Sequence, residues 1–276
     1  MKKTLFVLLA FASIGAFLPQ KTIAQQAAPN APQPAPPLIA ASSDLQQVFP
    51  ALVRLFEQRN GGKVRVQFGA PGDVYQQIAA GASVELFLAG DETWAQRIVD
   101  ENRSLKASKP YAVANLAFYV PPDSPLKADA MLNDIRGALR ENRLRHLAIA
   151  DPKDSPYGRL AERTLRRKLV LDDMQDKLMF ADNVMEVLEL TKDPAVQGGL
   201  ISYAQARKSV YENGGRAVLL SDMISEPLIQ YMVLLKGASN TAQMFFDFMQ
   251  TREAKKTLLD YGFKLPNGET AAMLGY

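Results

Sequence analysis

The sequence predicts an α/β protein built on mostly parallel sheets. From Leu38 onward, short apolar runs alternate with amphipathic segments. Small or turn-forming residues stand at several strand-to-helix junctions. Residues 1–37, by contrast, carry no globular pattern, so the folded part begins near Leu38.

The N-terminus has the features of a Sec-type signal peptide over 1–24. Lys2 and Lys3 form its basic end, residues 5–18 are an apolar run, and Thr22-Ile23-Ala24 offers a cleavage site after Ala24. The run is shorter than the roughly 20 residues of a membrane span. Residues 25–37 are a linker rich in proline and alanine. Pro29, Pro32, Pro34, Pro36 and Pro37 make it extended and semi-rigid, with no large apolar side chain to bury.

The elements then follow in order. Leu38 to Ala41 reads as a strand, and a helix is expected over 44–59 because Leu45, Val48, Phe49, Leu52, Val53 and Phe56 share one face. Pro50 should bend that helix or delay its start. Residues 63–69 alternate as a strand, a helix opens at Pro71, residues 84–88 form a buried strand, and 92–101 a helix. One long strand is expected over 112–120, ending at Pro121-Pro122, followed by helical sequence over 126–143 and a strand over 147–150. Further expectations are a helix over 157–169, a strand over 178–181, a helix over 184–191, and strands over 199–202, 217–220 and 228–235. Helices over 240–261 close the chain, with Phe245, Phe246, Phe248 and Met249 as core.

Composition excludes much chemistry. There is no cysteine, hence no disulfide, thiol nucleophile or thiolate metal site, and a single histidine, His146. The net charge of +3 comes from 32 basic and 29 acidic residues without long blocks, which argues against nucleic-acid binding. Ser43, Asp44 and His146 do not make a triad, because His146 precedes a strand at the end far from the strand-to-helix junctions. No enzyme activity and no catalytic residue are expected. Asp151, Asp154, Asp182 and Glu186 read as solvated or capping, and the Arg159, Arg163, Arg166, Arg167 and Lys168 run as an exposed basic helix face.

Four junctions remain: residues 41–44, 69–72, 154–158 and 182–184. Each hands a strand over to a helix N-terminus, which presents unpaired N–H groups and a partial positive charge. Ordinary capping explains each one alone. If they converged, they could hold a dianion without lysine or arginine.

The motifs AASSDL (40–45), FGAPGDVYQQIAAGA (68–82), ELFLAGDETWAQ (85–96), IADPKDSPYGRLA (149–161), DNV (182–184), GLISYAQA (199–206) and YGF (261–263) follow in an order that resembles the periplasmic molybdate-binding proteins of ABC importers. The resemblance implies a type II periplasmic binding protein fold, with two α/β lobes joined by two crossing strands and the ligand cleft between them. Lobe one would be 38–119 plus 232–276 and lobe two 120–231, with crossings near 118–121 and 227–233. The oxyanion-binding residues implied are Ser42, Ser43, Pro71, Gly72, Tyr157, Val184 and Ser202, with Tyr203 beside the last. Ser43, Tyr157 and Val184 would touch the ligand's oxygens through hydroxyl or main-chain N–H, without coordinating the metal directly. Pro71 departs from the family pattern, which has a serine there. Proline offers neither hydroxyl nor N–H, leaving Gly72 N–H, or Ala70 N–H, as the local donor.

The resemblance also implies no cofactor, molybdate or tungstate as ligand, an inner-membrane ABC permease as partner, a periplasmic location and a monomer. Another tetrahedral oxyanion such as sulfate or phosphate, and a ligand-sensing adaptor on the same fold, stay open from the sequence.

Overall fold

The computed structural model describes residues 35–60 and 62–266. The expected signal peptide, and all but the end of the linker, lie outside the described residues. Among those described, no helix is long and apolar enough to cross a membrane.

In chain order the elements are β1 (Leu38–Ser42), α1 (Phe49–Asn60), β2 (Arg65–Gly69), α2 (Pro71–Ala79), β3 (Val84–Leu88), α3 (Glu92–Asp100), β4 (Lys109–Ala114) and β5 (Leu116–Val120). Next come α4 (Asn133–Arg140), β6 (His146–Ala150), α5 (Pro156–Arg167), β7 (Leu178–Ala181), α6 (Val184–Leu190), β8 (Val196–Ser202) and α7 (Tyr203–Asn213). The last are β9 (Arg216–Leu219), β10 (Leu228–Leu234), α8 (Asn240–Phe248) and α9 (Arg252–Asp260). Between β1 and α1 the chain makes a 3-10 turn, Ser43–Gln46, so the helix expected from residue 44 starts later, at Phe49. Pro50 explains the delay: it is tolerated in a first turn, where its missing N–H has no partner to lose.

Two five-stranded sheets result, ordered β2-β1-β3-β10-β4 and β7-β6-β8-β5-β9. The sheets are mixed rather than mostly parallel. In the first, β1 pairs in parallel with β2 and β3, whereas β10 runs antiparallel to β3 and β4. The second repeats the arrangement, with β6 parallel to β7 and β8, and β5 antiparallel to β8 and β9. Each sheet thus ends in strands that carry the chain to the other lobe.

That crossing corrects two expectations. The single strand over 112–120 is two strands in two sheets, broken at Asn115. All of β5 belongs to the second sheet, because its residues pair with β8 and β9, Leu116 opposite Ser202 and Ala117 opposite Leu219. The outward crossing is therefore at Asn115, not near 118–121. The return precedes Leu228, since all of β10 lies in the first sheet. The apolar character of 112–120 hides the break, because both halves are buried.

Alternation along β1 shows how the first sheet is covered on both faces. Ile39 and Ala41 pack with Leu52 and Phe56 of α1 and Phe245 of α8, while Ala40 packs with Val74, Ile78, Trp94 and Ile98 of α2 and α3. Phe245 anchors the first layer, with ring centroids 4.9 Å from Phe56 and 5.7 Å from Phe49. Phe245, Phe246, Phe248 and Met249 are all buried. Emptying one such phenylalanine site to alanine costs about 3–5 kcal/mol.

Candidate functional site

The carboxyl ends of β1, β6 and β8 meet where the lobes face each other. At the end of β1, Ser42 and Ser43 are buried at 1% and 4% exposure, and Asp44 at 0%. From lobe two, Pro156 opens α5, and the Ser155 hydroxyl caps it by accepting the Gly158 N–H at 3.3 Å. Gly158 is required there: a Cβ would fall 2.3 Å from the Ala150 carbonyl oxygen. Asn183 caps α6, its Oδ1 accepting from Met185 N–H at 2.9 Å and Glu186 N–H at 3.3 Å. These caps take the deeper N–H groups and leave those of Tyr157 and Val184 out of the capping.

The junctions that sequence could not bring together do converge. Lobe two packs on the 43–46 turn through α6, and α5 reaches across to β10. The Tyr157 hydroxyl donates to Asp44 Oδ2 at 2.7 Å, and the Gln230 amide of β10 donates to the same oxygen. Ser42 lies beside the Asp44 carboxyl and Ser202 beside the Tyr157 phenol. The Ser202 hydroxyl also accepts from Gln205 N–H at 3.2 Å, capping α7. Ser42, Tyr157 and Ser202 therefore meet at one buried polar junction around Asp44, and α6, which begins at Val184, packs on the turn that begins at Ser43. Tyr203 lies just outside it, donating its N–H to the Asn115 carbonyl at 2.9 Å.

Burial pushes the Asp44 pKa up from its ordinary 3.8, against the pull of hydrogen bonds from Ser42, Tyr157 and Gln230. Burial, with Asp44 nearby, also holds Tyr157 and Tyr111 well above their ordinary 10.0, so both phenols stay neutral. No lysine or arginine pairs with Asp44 among the described residues. The junction thus gathers hydroxyls and the N–H groups of two helix starts around the buried Asp44 carboxyl.

Two residues depart from their expected roles. Gly72 does not offer its N–H to a ligand here: it donates to the Asp154 carbonyl of lobe two at 3.0 Å. The turn after β6 presses so closely on α2 that a Cβ on Gly72 would lie 2.8 Å from Asp154 Cα. Pro71 is buried and shares the surface of Gly90 with Ser42; a Cβ at Gly90 would sit 3.1 Å from both Pro71 Cγ and Ser42 Oγ. Arg159 likewise leaves the exposed basic face, pairing with Asp91 of lobe one at 2.6 Å. Arg163 and Arg166 remain on that face in exposed pairs with Glu226 and Glu162.

His146 begins β6, the far end of that strand from Ala150 and the junction. Asp73, on the first turn of α2, faces Asp154, Asp182 and Asp151 across the rim; burial first and these carboxylates next raise its pKa. One open hollow of the surface, between Tyr119, Pro122, Ser124 and Thr191, lies away from the junction, where the lobes touch through Tyr157 and Asp44 and through Gly72 and Asp154. Asp44, Gln230 and Asp91 escaped the sequence reading of the site. Asp44 and Asp91 stood in quoted motifs, but only the fold shows which lobe they face.

A two-lobed α/β receptor with its polar junction between the lobes is the architecture of a solute-binding protein. The chain belongs to the family of bacterial extracellular solute-binding proteins, whose sequence model matches residues 37–264. This is a family of binding proteins, not of enzymes. The chain is 30% identical to the molybdate-binding protein ModA of Rhodobacter capsulatus, over 82% of this chain and 87% of that one. It is 27% identical to ModA of Azotobacter vinelandii, over 82% and 89%. Its fold superposes on the periplasmic molybdate-binding protein of Azotobacter vinelandii with a TM-score of 0.74, at 23% identity, covering 84% of this chain and all of that one.

Proposed function

We propose that the protein is a periplasmic receptor that closes on molybdate, or its analogue tungstate, and delivers it to an inner-membrane ABC permease. One observation carries this reading beyond kinship. The Ser43 turn, the Tyr157 turn of α5 and helix α6 come together between the lobes, and among the described residues no lysine or arginine pairs with Asp44 there. Ser43 supplies hydroxyl and N–H donors from lobe one with Ser42 beside it, the Tyr157 and Val184 N–H groups supply donors from lobe two, and Ser202 stands behind Tyr157. A tetrahedral dianion is then held by hydrogen bonds of fixed direction, and closure excludes water. Discrimination against sulfate comes from cavity size, since charge and shape are alike. The receptor works as a monomer, exported by the leader that ends at Ala24.

Calorimetry with molybdate, tungstate, sulfate and phosphate tests the proposal. Molybdate and tungstate should bind at micromolar concentration or below and Ser43→Ala should weaken both. Binding of sulfate or phosphate alone would assign the site to a different oxyanion.

A further inference from the structure

At the rim of the cleft, one charged side chain crosses from lobe two to lobe one. Asp91 caps α3 with Oδ1, which accepts the Trp94 N–H at 3.3 Å, and its Oδ2 accepts from Arg159 Nη2 at 2.6 Å. Arg159 Nη1 meanwhile reaches the Pro152 and Lys153 carbonyls of its own lobe at 3.4 and 3.5 Å. Its guanidinium carbon lies 5.7 Å from the centre of the Trp94 ring, while Arg97 covers the same ring at 4.6 Å. The two side chains of the pair are 26% and 12% exposed, so solvent screens them less than the exposed pairs of the same helix.

Arg159 follows Tyr157 by two residues in the first turn of α5. A helix turn is rigid, so whatever fixes Arg159 against lobe one also fixes the Tyr157 N–H and hydroxyl over the Ser43 turn. We infer that Arg159 is a positioning residue for ligand retention: its clasp on Asp91 across Trp94 holds α5 shut over the anion, which Arg159 itself does not touch. The inference rests on the oxyanion reading of the junction. It separates two tasks within one helix turn, holding the ligand at Tyr157 and holding the lobe at Arg159. It also explains why an arginine so close to an anion site can leave that site without a paired cation: its charge is spent on Asp91.

Trp94 is the chain's single tryptophan, so its emission reports directly on the clasp. The test is release of molybdate, followed by stopped-flow Trp94 fluorescence, with affinity by calorimetry, in wild type, R159Q, D91N, the double variant and R159K. Asparagine keeps the α3 cap in D91N while removing the charge. R159Q and D91N should each speed release about tenfold, and the double variant should be no faster than either alone. R159K should fall between wild type and R159Q, because it keeps the charge and loses the planar fork. A merely structural role would lower the melting temperature of the ligand-free protein without selectively speeding release. Unchanged release in R159Q and D91N, or strictly additive effects in the double variant, overturns the inference while leaving the receptor reading intact. A wild-type protein that binds none of the oxyanions overturns both.

Discussion

The Tyr157 hydroxyl donates a 2.7 Å hydrogen bond to Asp44 Oδ2 across the seam between the lobes. It exists only when α5 lies against the end of β1, so its strength contributes to closure and not to the fold of either lobe. Tyr157→Phe should therefore weaken oxyanion affinity by about tenfold to a hundredfold, the worth of one hydrogen bond to a charged group. Calorimetry on the variant reads this directly, and an affinity equal to wild type would show that the seam bond does not drive closure.

Gly72 meets Asp154 so closely that a Cβ would lie 2.4 Å from Asp154 Oδ1. Gly72→Ala should prevent full closure, lowering affinity by about tenfold to a hundredfold through steric overlap. Small-angle scattering should show the variant keeping its ligand-free dimensions when molybdate is added. Contraction equal to that of wild type would place the lobes' contact elsewhere.

Position 71 shares the surface of Gly90 with the Ser42 hydroxyl. Pro71→Ser would place a donor beside that hydroxyl at a helix start that suits serine. Affinity for molybdate should rise about tenfold. Thermal-shift titration compares the two proteins, and unchanged affinity would mean that residue 71 faces away from the anion.

Asp44 and Asp73 both have pKa values raised above 3.8, Asp44 by burial and Asp73 by burial followed by Asp154, Asp182 and Asp151. A raised carboxylate means that the folded state holds its proton more tightly than the unfolded one. That contribution is complete below 3.8 and is lost as pH rises through the folded-state pKa. Stability from these two groups should thus decline as pH rises from 3.8 to the raised folded-state pKa and level off above it. Melting curves between about pH 4 and about pH 8 should show Asp73→Asn gaining on wild type toward neutral pH, and Asp44→Asn losing part of the slope. A slope identical in all three proteins would contradict the assignment.

Much of the architecture was legible in the sequence because burial and periodicity are local. The strands at 84–88 and 178–181 appear where their short apolar runs place them, and Pro50 announces the late start of α1. The break at Asn115 was not legible, since two strands of different sheets, buried without interruption from Tyr111 to Val120, read as one apolar run. The serines and helix starts of the junction were visible as caps, and resemblance supplied their grouping. Asp44, Gln230 and the turn of Arg159 toward Asp91 depend on contacts between distant parts of the chain, which no spacing encodes.

The two crossings lie side by side. Ala114 pairs with Leu228 in one sheet, and Leu220 donates its N–H to the Leu116 carbonyl at 3.0 Å in the other. Two antiparallel straps side by side behave like the leaves of a door hinge: they permit rotation about their common line and resist sliding or twisting. The closing contacts at Tyr157, Gly72 and Arg159 then sit on a single swinging arc and must be made and broken in concert. A bound anion is consequently released by one motion of the whole lobe, which anything that grips both lobes at once can impose from outside.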